Sequence, residues 1–278
     1  MSRYGPIDKQ MKFNGTIVFW SLTGGTNLST LRERMEEVGL PDIVPEEIED
    51  APALRRALGS IYSGRRIHIE PMEGIRGMYS VVDVDASGIL PEYTPFLRTG
   101  VIAGELEFRP EEFEDADRIH AAFQQEKENV PAAKLGQMLV RLSEKCRGVS
   151  LRPSGGFYWI PNEHAETWEN AATAIRSANP ACSLFRVRTT TDTSTVDAVC
   201  ESVVLQVTKE LEKMQEEIED GVLGKRALGS REARAIQLDE MLDEYESILG
   251  KTLTSLREQA DDVGATAALA LLTVGAAK

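Results

Sequence analysis

Apolar residues recur at alternating intervals of three and four near the carboxyl end of the chain. The first run consists of Val204, Val207, Leu211, Met214 and Ile218. This spacing places all five on one stripe of an α-helix, and it is the spacing of a coiled-coil seam. A second run consists of Leu238, Leu242, Tyr245, Leu249 and Leu256. The two runs predict two long amphipathic helices.

A glycine-containing segment, DGVLGKRALGS at 220–230, separates these runs. Two helices of similar length joined by such a turn predict an antiparallel helical hairpin within one chain. The alternative is a coiled coil between two copies, and the outer face of the hairpin is also open to a second copy. The candidate residues for self-association are therefore the seam itself: Val204, Val207, Leu211, Met214, Ile218, Leu238, Leu242, Tyr245 and Leu249.

Shorter elements precede the hairpin. TIVFW at 16–20 predicts a buried strand, because it is β-branched and aromatic and ends at a Thr-Gly-Gly turn. Capping residues, apolar spacing and turn residues then predict further elements. The helices are expected near 28–38, 50–62, 111–128, 131–147 and 163–178, and the strands near 66–72, 77–85, 99–108, 149–152, 156–160 and 183–189.

This order of elements predicts an α+β fold in three segments. Residues 1–128 form a mixed α/β region, 129–190 a small second α/β unit, and 191–278 the acidic helical hairpin with an apolar tail. That tail, VGATAALALLTVGAAK, is shorter than the ~20 residues that a membrane-spanning helix needs. We expect it to dock against the protein or a second copy.

Charge limits the classes of partner. The net charge is −14, which argues against a protein that coats nucleic acid, since phosphate binding needs a positive surface. The acidity is uneven: residues 201–262 contain sixteen Asp and Glu against eight Lys and Arg, whereas 148–190 contain three against four. Three cysteines without CxxC spacing favour a reducing cytoplasm over a disulfide framework.

The near-neutral middle of the chain could hold a nucleic-acid surface. Alternation in SLFRVRT sends Arg186 and Arg188 to one face of a strand, while Phe157 and Trp159 share a face of FYWI. If these strands pair, Arg152, the two strand arginines and an aromatic ring could bind an unpaired base and its phosphate. The alternative is an ordinary sheet with the aromatic pair in the core and the arginines in water.

Motifs for catalysis or metal binding are weak. The TGGT turn at 23–26 lacks the residues of a phosphate loop, and DVDASG, with Asp83 and Asp85, lacks the closing glutamate of a calcium loop. His164 lies four residues before Trp168, which is typical of a structural pair at a helix start. The sequence therefore predicts no metal site, no cofactor and no catalytic residue, and leaves an enzyme uncertain.

One segment carries a resemblance. VSLRPSGGFYWIP, the helix after it, and the earlier TIVFW…LSTLRERMEEVGL…ALRRAL resemble an uncharacterised family of phage, plasmid and archaeal proteins, over about the first 190 residues. The resemblance implies a mobile-element setting and transfers no catalytic residue.

Three functions follow as expectations. The first is a non-enzymatic cytoplasmic interaction protein that assembles through its C-terminal helices, without a membrane anchor. The second is a protein that binds single-stranded nucleic acid through Arg152, Phe157, Trp159, Arg186 and Arg188. The third is a hydrolase or phosphoryl-transfer enzyme that uses the Thr-Gly-Gly turn or Asp83 and Asp85.

Overall fold

The computed structural model describes residues 13–72, 75–82, 97–102, 104–152, 155–190 and 192–276. Its helices are α1 Leu28–Glu37, α2 Asp50–Ile61, α3 Ala116–Glu128, α4 Ala132–Lys145, α5 Ala165–Ala178, α6 Thr193–Glu219, α7 Lys225–Leu249 and α8 Thr254–Ala276. Its strands are β1 Phe13–Ser21, β2 Thr26–Asn27, β3 Arg66–Met72, β4 Ile75–Val82, β5 Leu97–Ile102, β6 Glu105–Arg109, β7 Asn129–Val130, β8 Val149–Ser150, β9 Phe157–Pro161 and β10 Ser183–Thr190. The α+β class is confirmed.

The chain divides into two compact units, each built from separate segments. The first contains the chain up to Ser21, then Leu139–Ala172 and Ser183 onwards; the second contains Leu22–Met138 and Thr173–Cys182. Distant segments belong to the first unit because β1, near the N-terminus, pairs with β9 and β10. The division into 1–128, 129–190 and 191–278 stays a prediction.

The second unit contains an antiparallel meander in the order β3-β4-β5-β6. The strand expected over 99–108 is a hairpin of two strands that turns at Gly104, whose φ of 90° suits glycine. Helix α2 buries Leu54 and Leu58. Together with α3 it covers a core of Ile48, Ala53, Leu54, Ala57, Leu58, Tyr62, Leu97, Leu106, Ile119 and Phe123.

The first unit contains a four-stranded antiparallel sheet in the order β10-β1-β9-β8. One face of β9 contributes Trp159, fully buried, to the same core as the C-terminal helices. The sheet therefore anchors the helical part of this unit through one of its faces.

The C-terminal region contains the predicted pair of helices, α6 and α7, and a third helix, α8, after it. Helices α6 and α7 do run antiparallel, since Arg231 pairs with Glu217 and Arg234 with Glu210. The second apolar run, however, is interrupted at Gly250, which ends α7 with a left-handed φ of 63°. Leu256 therefore belongs to α8, which contains most of the apolar tail. None of the helices in the described ranges combines the length and hydropathy that crossing a bilayer requires.

Candidate functional site

The side chains of the predicted seam pack against one another within the chain. Eight of the nine are buried in the core of the first unit, and Val204, 42 % exposed, is the exception. The 3-4 spacing of these eight therefore corresponds to packing of α6, α7 and α8 within the chain. Their use between two copies stays a prediction.

A different stripe of α8 is apolar and exposed. Leu269 is 65 % and Leu272 70 % exposed, and with the exposed Ala265 they repeat at intervals of four and three. The opposite stripe of the same helix, Leu256, Ala260, Val263 and Ala267, is buried. A helix with apolar residues on its buried and its outer face has more apolar surface than the chain itself covers.

A groove runs beside this stripe. It has a volume of about 570 Å³ and lies between α6 and α8. Its lining residues are Thr208, Leu211, Glu212, Gln215, Gln259, Asp262, Val263, Ala265, Thr266 and Leu269. The exposed Leu269 thus lies at the edge of a concave surface with an apolar floor and polar walls.

The predicted nucleic-acid residues do not share a surface. In the sheet register, Val18 pairs with both Arg186 and Tyr158, whereas its neighbour Phe19 pairs with Phe157. Directly paired residues lie on the same face and consecutive residues on opposite faces. Arg186 therefore lies on the face opposite Phe157, where its guanidinium pairs with Glu169 at 3.3 Å.

The same register separates Arg188 from Trp159. Arg188 pairs with Thr16 and Trp159 with Ile17, so these two also occupy opposite faces. The Trp159 ring is fully buried, and its Nε1 donates a hydrogen bond to Thr189 Oγ1 at 2.9 Å. It is not available to stack on a base. Arg152 is exposed, and the predicted Arg–aromatic cluster is not formed.

The Thr-Gly-Gly turn is closely covered by its surroundings. Thr23 Oγ1 donates to the carbonyl of Ala181 at 2.7 Å. Gly24 has a φ of 72°, and a Cβ on Gly25 would lie 2.4 Å from Asn129 Oδ1. Conformation and packing thus account for both glycines. Asp83 and Asp85 lie outside the described residues.

Arg147 forms a rigid anchor between the end of α4 and helix α7. Its φ of 53° is left-handed, and its carbonyl accepts a 2.6 Å hydrogen bond from the hydroxyl of the buried Tyr245. Its guanidinium lies 3.3 Å from Glu240 Oε2 and 3.7 Å from Glu244 Oε2. These contacts fix one carboxylate oxygen of Glu244 and direct the other away from the arginine.

That second oxygen meets two side chains from the start of α5. Glu163 and His164 lie in a single 3-10 turn, Asn162–His164, that precedes the helix. One ligand atom from each of Glu163, His164 and Glu244 lies within 4.8 Å of the others, and His164 Nε2 is 3.3 Å from Glu244 Oε1. Glu244 Oε1 is buried and accepts no hydrogen bond from the described residues. We call these three residues the Glu-His-Glu cluster.

The surroundings of Glu244 and His164 disfavour their charged forms. Burial, together with a hydrogen bond to Glu163 and the charge of Glu163, raises the pKa of Glu244 to about 7. Burial also lowers the pKa of His164, an effect that Glu163 opposes and Arg147 reinforces. Both shifts weaken any ion pair between His164 and Glu244 near neutral pH.

A comparison with known protein families identifies the family of this chain. The model of a family of unknown function, DUF6744, matches residues 97–277. The chain belongs to this family. The match covers the RPSGGFYWIP segment and all of α6 and α7. It begins after the earlier segments of the expected resemblance, TIVFW, LSTLRERMEEVGL and ALRRAL, and it continues beyond residue 190. No curated protein and no solved structure matches the chain.

The family match spans every residue of the Glu-His-Glu cluster. The sequence analysis did not predict this cluster. Glu244 lies 80 residues after His164, so no local spacing joins them. The one available signal was an acidic residue directly before Tyr245 in an apolar seam. Such a residue has to lie at the edge of the core, where a carboxylate needs a partner.

Proposed function

We propose that this chain is a non-enzymatic assembly protein that forms a dimer through the exposed stripe of α8. The observation that carries the proposal is the pair Leu269 and Leu272, 65 % and 70 % exposed, with Ala265 at coiled-coil spacing. The occupant of this stripe is a second copy of the same stripe, since a two-fold interface joins a surface to itself.

The acidic half of α8 decides the orientation. Glu258, Asp261 and Asp262 are exposed on the turns before the stripe. In an antiparallel pair that crosses between Leu269 and Leu272, the two Asp262 residues lie ~25 Å apart, at 1.5 Å of rise per residue. In a parallel pair they would lie ~10 Å apart, the usual distance between helix axes. Screening acts over ~8 Å at physiological ionic strength, so the antiparallel pair avoids the repulsion.

The strength of the dimer follows from the buried area. Two leucines from each copy, each about two-thirds exposed before association, contribute roughly 4–8 kcal/mol. The loss of translational and rotational freedom costs about 4–15 kcal/mol. Small residues such as Ala265 and the adjacent groove add further contact. We therefore expect a reversible dimer rather than a permanent one.

The setting of this assembly belongs to the same proposal. All three cysteines are buried and free, which supports a reducing compartment such as the cytoplasm. The resemblance carried by VSLRPSGGFYWIP supports an origin in a phage or another mobile element.

Sedimentation velocity of the full-length chain tests the proposal. The wild-type protein should change from monomer to dimer over about 1–500 µM, the range in which weak association is visible. The double variant L269E/L272E should remain monomeric. Leu205→Glu is the matched control, because Leu205 is a 65 % exposed leucine on α6. A wild-type monomer throughout, or an L269E/L272E variant that still dimerises, would refute the proposal.

A further inference from the structure

We propose that Glu163, His164 and Glu244 bind a divalent transition-metal ion of the Zn²⁺ class. The three ligand atoms already lie within 4.8 Å of one another. The proposal does not depend on self-association, because the cluster involves α7 and the start of α5, whereas the dimer stripe lies on the outer face of α8.

One edge of the cluster already has the spacing of a metal site. Zinc binds imidazole nitrogen and carboxylate oxygen at about 2.0–2.1 Å, and two such ligands at a tetrahedral angle lie ~3.3 Å apart. His164 Nε2 and Glu244 Oε1 are 3.3 Å apart. Glu163 is the exposed member of the cluster, so its side chain can rotate to complete the site.

Glu244 Oε1 also lacks a hydrogen-bond donor among the described residues. Glu244 Oε1 is buried and accepts no hydrogen bond within the described part of the chain, although His164 Nε2 faces it. A buried polar atom without a partner is destabilising, and more so when it is charged. A cation between the imidazole and the two carboxylates would satisfy this oxygen directly.

The surrounding charges also favour a cation. Within the cluster, the carboxyl groups of Glu163 and Glu244 face one nearby cation, Arg147. Arg147 contacts Oε2 of Glu244, so it leaves Oε1 free. Arg147 is thus a positioning residue that orients the carboxylate without occupying the site.

The ligand set selects the kind of ion. Imidazole favours zinc and its transition-metal neighbours, whereas Mg²⁺ and Ca²⁺ prefer sites made of oxygen alone. Three protein ligands leave at least one coordination position for water. His164 and Glu244 are 29 % and 22 % exposed, so that position opens to solvent.

The test is calorimetric titration of chelator-treated, full-length protein with ZnCl₂. Wild-type protein should bind one ion, and MgCl₂ and CaCl₂ should bind far more weakly. His164→Asn and Glu244→Gln should each weaken Zn²⁺ binding by at least ~10-fold, since even the loss of an outer-shell partner costs that much.

Two matched controls isolate the site. Glu240→Gln removes a carboxylate one turn before Glu244 that also contacts Arg147, so it repeats the change of charge outside the cluster. His120→Asn removes a histidine on α3 that lies against Phe108. Neither variant should change the affinity by more than about threefold, well below the 10–100-fold loss expected when a metal site is disturbed.

Cobalt spectra show whether a cysteine binds the metal, and thermal melts show whether Zn²⁺ stabilises the protein through His164. A Co²⁺ complex should lack the thiolate charge-transfer band, which would otherwise show that a cysteine holds the metal. The rise in melting temperature that Zn²⁺ causes in wild-type protein should vanish in His164→Asn. Failure of wild-type protein to bind Zn²⁺, a thiolate band, or full affinity in His164→Asn would overturn the proposal. A monomeric protein that still binds Zn²⁺ would overturn only the dimer.

Discussion

Replacement of Gly156 by alanine is a sharp test of the aromatic packing around the RPSGGFYWIP segment. A Cβ at this position would lie 2.1 Å from Cε2 of Trp20, whereas ordinary contacts begin at 3.4 Å. The indole ring would have to move by more than 1 Å. It is held by stacking on Tyr158, with centroids 5.7 Å apart, and on the buried Trp168, at 6.1 Å.

The magnitude follows from these contacts. Overpacking a well-filled site costs about 1–3 kcal/mol. Disturbing an aromatic pair costs a further ~0.5–1.5 kcal/mol. We therefore expect Gly156→Ala to lower the free energy of unfolding by about 2–4 kcal/mol.

Gly229→Ala is the matched control. Gly229 lies inside α7, and nothing lies within 4 Å of the position where its Cβ would be. The same substitution should therefore stabilise the protein by about 0.4–1 kcal/mol, because alanine has less freedom to lose on folding. Both variants change the unfolded chain equally, so the difference between them isolates the clash with Trp20.

Tryptophan fluorescence during urea unfolding is the assay. The chain has three tryptophans, Trp20, Trp159 and Trp168, and all lie in the unit that contains both glycines. The signal therefore reports on this unit alone. If Gly156→Ala were as stable as Gly229→Ala, the proposed packing of Trp20 over the glycine would be wrong.

Two further predictions concern the neighbourhood of the Glu-His-Glu cluster. Tyr245→Phe should destabilise the first unit by about 1–2 kcal/mol in the same assay, because the Arg147 carbonyl loses its 2.6 Å buried donor; unchanged stability would contradict this role. In chelator-treated protein, stability should fall as the pH rises from 4.5 towards 7, because the folded state binds a proton on Glu244 more tightly than the unfolded state does. The loss should be on the order of 1–2 kcal/mol, at 1.36 kcal/mol per pKa unit with a reduction for partial exposure. Glu244→Gln should abolish that part of the pH dependence, and an equally steep profile in this variant would refute the assignment.

Local chemistry predicted local structure well. The sequence offers Asn27 and Thr30 as caps of α1, and the structure uses Asn27, whose Oδ1 accepts from the Thr30 amide at 2.7 Å. The alternation in FYWI placed Phe157 and Trp159 on one face and Tyr158 on the other, as the strand register shows. Capping, alternation and helical spacing all act within a few residues, so a single sequence contains them.

Relations between distant segments could not be predicted in the same way. Whether Arg186 faces Phe157 depends on the register of β10 and β9 with β1, which alternation within each strand does not determine. The end of α7 at Gly250 could not be predicted for a related reason. Leu249 and Leu256 are seven residues apart and both buried, so the heptad spacing continues across a turn that separates two helices.

The ion pairs of the helical region hold most of its cationic side chains against carboxylates. Of the eight Lys and Arg residues between 201 and 262, five lie in ion pairs with carboxylates: Lys213, Arg231, Arg234, Lys251 and Arg257. Arg257 alone contacts Asp239, Asp243 and Glu246 across the packed pair α7 and α8. Most of these ion pairs join different elements, and the remaining excess of carboxylates disfavours phosphate. The part of α8 after Asp262, which contains the proposed dimer stripe, has no Asp or Glu side chain.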